Sequence, residues 1–265
     1  LEAKPFENTT DTRFYYPAEP HQGALLKLRY AVENHRGAAL LCGGAGLGKS
    51  LIVQTLMRQL GESFAPCVHM VFPQMPPDQL LAYLAESLSG VSHSGDTPTI
   101  EQSIRSIERA LIENIDAQRH AVVVIDEAQD LEEQHAFETI RLLLTFEYNS
   151  QPPLTIVLAG QPALLPILDR MPELDVRLAV KCLLRRLSVE ESISYVHHRL
   201  QAAGAQQEIF EPKALEAIHH LSHGVPRRIN RLCDLALLIG FAEERTTIGE
   251  AQVEAIAEEL VAIVP

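Results

Sequence analysis

The chain has 265 residues, 46% of them apolar, with 35 Asp+Glu against 22 Lys+Arg and a formal net charge of −13. That length and apolar content exclude a disordered or low-complexity chain and suit one large domain or two small ones. The acidic balance argues against a generic basic binder of nucleic acid or anionic membrane, since both need Lys/Arg to displace counterions, though not against a local basic patch.

The elements expected from periodicity begin with a short buried strand at Ala38–Cys42, a glycine turn, and a helix from Lys49 to about Leu60. A strand at Cys67–Phe72 follows, then a proline-marked turn, a helix at Asp78–Leu88, a polar loop at Gly90–Pro98 and a helix at Ile100–Asp116. Ala121–Ile125 is the clearest strand, β-branched and bounded by charge. The pattern continues with a helix over Glu132–Tyr148, a strand at Leu154–Leu158, a helix from near Pro162 and a strand at Leu178–Leu183. Apolar runs alternating with helices imply an α/β fold, a mainly parallel sheet covered on both faces.

After Leu187 the strand signal stops. Helices are expected at Ser188–Ala203, Glu211–Leu221, Pro226–Glu243 and Gly249–Val261, with a Ser188–Glu191 capping box and Pro212 in a first turn. The division is therefore 1–187 for an α/β domain and 188–265 for a helical one. Cys42, Cys67, Cys182 and Cys233 are widely spaced, which fits reduced thiols in the cytoplasm better than a zinc cage or disulfide framework. Leu1–Pro5 is too polar to open a signal peptide, and Leu235–Ala242 is too short an apolar run to span a bilayer.

Three segments carry chemistry. Gly43-Gly44-Ala45-Gly46-Leu47-Gly48-Lys49-Ser50 matches GxxxxGK[ST] between a strand and a helix, with Leu51 next. Glycines let backbone N–H groups turn toward phosphate oxygens, Lys49 would reach the β/γ-phosphates, and the Ser50 hydroxyl would meet Mg²⁺. Asp126 and Glu127 close the β-branched strand; Asp126 would hold Mg²⁺ through water, and Glu127 would orient and deprotonate the attacking water. Charge developing in the transition state also needs cations. Arg177 and Arg227 are candidates, with Arg170, Arg185 and Arg186 as rivals for the first role.

Other patterns carry less. Leu88-Ser89-Gly90 reads as a helix ended by glycine, and His197-His198-Arg199 as a solvated helical face. His219 and His223, four residues apart, suit a helix end better than a metal site.

Pro5-Phe6, Phe14-Tyr15, His21 and Ala24-Leu25, then Ile125-Asp126-Glu127-Ala128-Gln129, Ala159-Gly160-Gln161-Pro162, Gly224-Val225-Pro226-Arg227 and Ile229-Asn230 form a familiar series. It resembles the AAA+ ATPase domain of the general secretion pathway protein A (ExeA-like) family, from about Pro5 to Leu260. The resemblance implies a P-loop NTPase αβα domain with a helical lid, Mg-ATP as ligand, and a homo-oligomer, typically a ring. It assigns Gln161 as a polar sensor, Arg177 as a finger reaching a neighbouring subunit, Arg227 as the lid arginine, and Phe14–Leu28 to the adenine pocket. Ser50-Leu51 departs from the two threonines usual there, while keeping the hydroxyl.

The function this implies is assembly of an envelope secretion or export machine: type II secretion, pilus or polysaccharide export. Secretion members continue into a membrane span and a peptidoglycan-binding domain. The expectation is thus a cytoplasmic ATPase, either trimmed from such a protein at the inner membrane or a short member of the family. A transposition-type, ATP-dependent DNA-binding regulator is the rival. Residues 188–265 hold six Lys+Arg against twelve Asp+Glu, so both halves are acidic and the rival is disfavoured.

Overall fold

The computed structural model describes residues 1–9, 11–91, 98–133, 135–149 and 151–262. Most of the expected Gly90–Pro98 loop lies outside them. In chain order the elements are α1 (Glu19–Glu33), β1 (Ala38–Gly43), α2 (Lys49–Gln59), β2 (Cys67–Met70), α3 (Pro77–Ser89), α4 (Ile100–Asp116), β3 (Ala121–Ile125), α5 (Phe137–Leu143), β4 (Leu154–Gly160), α6 (Leu164–Asp169), α7 (Pro172–Asp175) and β5 (Leu178–Leu184). Four helices complete the chain: α8 (Val189–Ala202), α9 (Pro212–Ser222), α10 (Pro226–Ala242) and α11 (Glu250–Ala262).

The chain divides into two compact units. One holds Gly23–Gly44 and Ile52–Leu184. Its five strands pair in parallel in the order β2-β3-β4-β1-β5, so every neighbouring pair except β3-β4 and β2-β3 joins strands distant in sequence. β1, β3 and β4 are buried along their whole length, which their continuous apolar runs require. Leu40, Ile125, Ile156 and Leu158 form one apolar cluster with Leu80 and Leu84 of α3 and Ile107 and Leu111 of α4. Gly90, left-handed at φ 67°, ends α3 as expected.

The largest differences from expectation are in α1 and α5. α1 was not foreseen, although Ala24, Leu25, Leu28, Ala31 and Val32 are buried at helical spacing; Pro20 and Gly23 mask the pattern. The helix expected over Glu132–Tyr148 is reduced to α5, preceded by a 3-10 turn at Ala128–Leu131. His135 adopts φ 53° and Asn149 φ 53°, backbone that no helix contains.

The other unit holds Leu1–Gln22, Ala45–Leu51 and Arg185–Pro265. It groups the N-terminal segment and most of the glycine loop with the helices, where the sequence reading placed everything before residue 188 in the α/β domain. Its apolar core joins Phe6, Ala18, Leu187 and Tyr195 to Ile218, Ile229, Cys233 and Val253. The Ser188 capping box forms as expected, with Ser188 accepting from Glu191 N–H and the Glu191 carboxylate accepting from Ser188 N–H.

The reading of His197-His198-Arg199 as a solvated face is corrected. Arg199 is only 3% exposed and donates to the carbonyls of Pro5 and Glu7 and to Tyr195 Oη. Its guanidinium also stacks 4.7 Å from the Phe14 ring centroid. His198 leans on Tyr16, at 5.5 Å between rings. A polar network thus ties the first residues to α8 and continues through Tyr195 and Asn230 to Asn8. Among the described residues no helix is long and apolar enough to cross a membrane.

Candidate nucleotide site

In a parallel sheet, side chains that act on ligands gather where the strands end at their carboxyl termini. β3, β4 and β1 are adjacent, and their carboxyl ends carry Asp126-Glu127, Gln161 and Gly43-Gly44 respectively. The spacing of the sequence motifs along the chain becomes proximity through this strand order.

Asp126 is 4% exposed, and its N–H pairs with Met70 O of β2. Oδ1 accepts from the Glu127 N–H at 3.0 Å, and Oδ2 lies 3.9 Å from His69 Nε2. His69 is itself oriented by Gln54, whose Nε2 lies 3.2 Å from His69 Nδ1. Glu127 has a left-handed backbone, φ 48°, unusual for a residue with a Cβ and a form of stored strain found at functional sites.

The Glu127 carboxylate is held by two amides. Gln129 Nε2 donates to Oε2 at 2.7 Å, and Gln161 Nε2 donates to the same oxygen at 3.2 Å. Gln129 Oε1 in turn accepts the Gln161 N–H at 3.0 Å. Gly160 makes this possible: a Cβ there would sit 2.7 Å from Gln129 Oε1. Gln129 and His69 were not singled out from the sequence as site residues. Gln129 was visible only as part of the Asp-Glu-Ala-Gln segment, and His69 becomes visible only once β2 pairs with β3.

In the unit that contains Ala45–Leu51, the glycine loop has Gly46 at φ 80° and Gly48 at φ 93°, conformations that favour glycine. Lys49 opens α2 and is 6% exposed, while Ser50 is exposed in the first helical turn. Arg227 comes directly against this loop: its N–H donates to Gly46 O at 3.2 Å. A Cβ on Gly46 would meet Arg227 Cβ at 2.9 Å.

Three of the other candidate arginines, Arg177, Arg170 and Arg185, have partners of their own. Arg177 is exposed, and its Nη1 donates to Leu144 O at the end of α5 at 2.8 Å. Arg170 pairs with Glu132, and Arg185 with Glu19 and Glu191. Phe14, from the segment assigned to the adenine pocket, is buried under Arg199. His219 Nδ1 lies 2.8 Å from Ser192 Oγ, and His223 ends α9 with a left-handed backbone.

Ser50 and Asp126 supply hard oxygen donors, the chemistry Mg²⁺ prefers. A glycine loop opening a helix is the chemistry that receives phosphate, and a carboxylate fixed by amides is the chemistry that orients a water, each within its own unit.

A family profile described as "AAA domain" matches residues 32–168. General secretion pathway protein A of Aeromonas hydrophila is 33% identical over 262 residues, covering 98% of this chain. The chain spans 47% of that relative's length. Among solved structures, the ORC2 protein of Aeropyrum pernix, in ADPNP and ADP complexes, superimposes with a TM-score of 0.72 at 14% identity, covering 97% of this chain and 72% of that one. Drosophila ORC bound to DNA gives 0.69 at 17%, covering 98% and 68%. Both structural likenesses describe the fold.

Proposed function

Because the chain belongs to the AAA ATPase family, we propose that it binds Mg-ATP through Gly43–Leu51 and hydrolyses it, and that turnover drives assembly of an envelope secretion or export machine. The observation that carries the hydrolytic part is the Glu127 carboxylate, held by Gln129 and Gln161 at the end of β3. A base so held cannot swing freely, so its approach to an attacking water is set by the two amides.

In this reading Lys49 stabilises the β/γ-phosphates. Ser50 and Asp126 hold Mg²⁺, which supplies charge neutralisation on the phosphate oxygens. Gln161 senses the γ-phosphate and relays it to Glu127, and Arg227 reaches the phosphates from the start of α10. Arg177 acts in trans in a homo-oligomeric ring, leaving the Leu144 carbonyl when a neighbour's nucleotide arrives. The secretion role rests on likeness to General secretion pathway protein A along nearly the whole chain. A position on the cytoplasmic side of the envelope goes with that proposed role. The acidic charge disfavours the DNA-regulator reading.

Mixing inactive subunits tests the ring. Lys49→Ala and Arg177→Ala should each lose Mg-ATP turnover alone, and their mixture should recover part of it. No recovery at any mixing ratio would remove the intersubunit finger.

A further inference from the structure

A phosphate loop works only when its peptide N–H groups face the ligand and the carbonyls of those same peptides face away. Two successive carbonyls of this loop have partners that hold them. Gly46 O accepts from the Arg227 N–H, and Leu47 O lies 2.7 Å from His21 Nε2. A carbonyl can only accept, so Nε2 carries the proton. The trans peptide is planar, with the C=O of one residue anti to the N–H of the next. Fixing Leu47 O on His21 therefore turns the Gly48 N–H to the opposite side.

The ring is built into the loop. His21 is 7% exposed, and a Cβ on Gly48 would come within 3.3 Å of its Nε2. Nδ1 is buried, and no polar atom among the described residues bonds to it. Burial holds the imidazole below its ordinary proton affinity, despite the Leu47 carbonyl and the Glu191 carboxylate, which act the other way; the Arg185 charge adds to the lowering. The neutral ring is thus the form that donates to Leu47 at neutral pH.

We propose that His21 is a positioning residue for nucleotide binding: its Nε2–H holds the Leu47 carbonyl outward, so that the Gly48 N–H is set for phosphate before the ligand arrives. The proposal rests on the Mg-ATP reading. His21 lies outside the GxxxxGK[ST] segment, and the motif gives it no role.

The test is fluorescence titration of a labelled ATP analogue against wild type and the Lys49→Ala, His21→Gln, His21→Asn and His21→Ala variants, with thermal melting of each. A glutamine amide nitrogen reaches about as far as Nε2, whereas an asparagine nitrogen stops near Nδ1. His21→Gln should bind within about twofold of wild type, and His21→Asn and His21→Ala about tenfold more weakly, the worth of one hydrogen bond. Gln and Asn variants should melt together. Equal affinity for the Gln and Asn variants, or wild-type affinity for His21→Ala, overturns the role of His21 alone. Failure of wild type to bind, or unchanged binding by Lys49→Ala, overturns the nucleotide reading and this inference with it.

Discussion

The two compact units are held together by different physics. The sheet unit rests on a large apolar cluster in which whole strands are buried. The helical unit adds to a smaller apolar cluster a buried polar network centred on Arg199, whose partners Pro5 and Glu7 lie more than 190 residues away in sequence. Apolar burial is non-directional and tolerates modest change, whereas a buried cation leaves unpaired groups as soon as one partner is lost.

The largest effect should come from that cation. Arg199→Ala strands the Pro5 and Glu7 carbonyls and removes the platform over Phe14, and should cost about 4 kcal/mol in denaturant unfolding. A loss below about 1 kcal/mol would erase the contrast between the units. Gly224→Ala should come next. Its φ is 66°, and a Cβ would lie 2.2 Å from Leu187 O, so the helical unit must distort at a cost of about 3 kcal/mol, read as a lower melting temperature.

A buried titratable group of the sheet unit, His120, makes it sensitive to pH. This ring is 3% exposed, stacks on His35 at 4.2 Å and lies 2.9 Å from Thr155 Oγ1. Burial, and then the charge His35 would carry, push its pKa down from 6.5 to about 4. The unfolded chain therefore binds the proton more tightly than the folded one. The stabilisation is complete above pH 6.5 and is lost as pH falls toward 4, amounting to roughly 2 kcal/mol by pH 5. Urea unfolding of wild type and His120→Asn across that range checks it; identical pH profiles would sink the assignment.

The same contrast decides what could be read from the sequence. Strands such as Ala121–Ile125 are buried on both faces, so their β-branched runs announce them, and the phosphate loop announces itself because its chemistry depends on contiguous residues. Arg199 looked solvated because nothing near it in sequence hints at Pro5 or Phe14. The helix expected over Glu132–Tyr148 overran α5 because Leu144 and Phe146 continue an apolar pattern after the helix has ended at Leu143. Gln161 meets Glu127 only because β4 lies beside β3, a pairing that no periodicity encodes.

In the proposed function, Glu127 activates water and does not hold nucleotide. Glu127→Gln keeps the size of the side chain and removes the base. Binding of labelled ATP and steady-state phosphate release should be measured on one preparation of this variant beside wild type. Affinity should stay within about twofold of wild type, and phosphate release should fall by about 100-fold or more. Phosphate release at the wild-type rate would contradict that role.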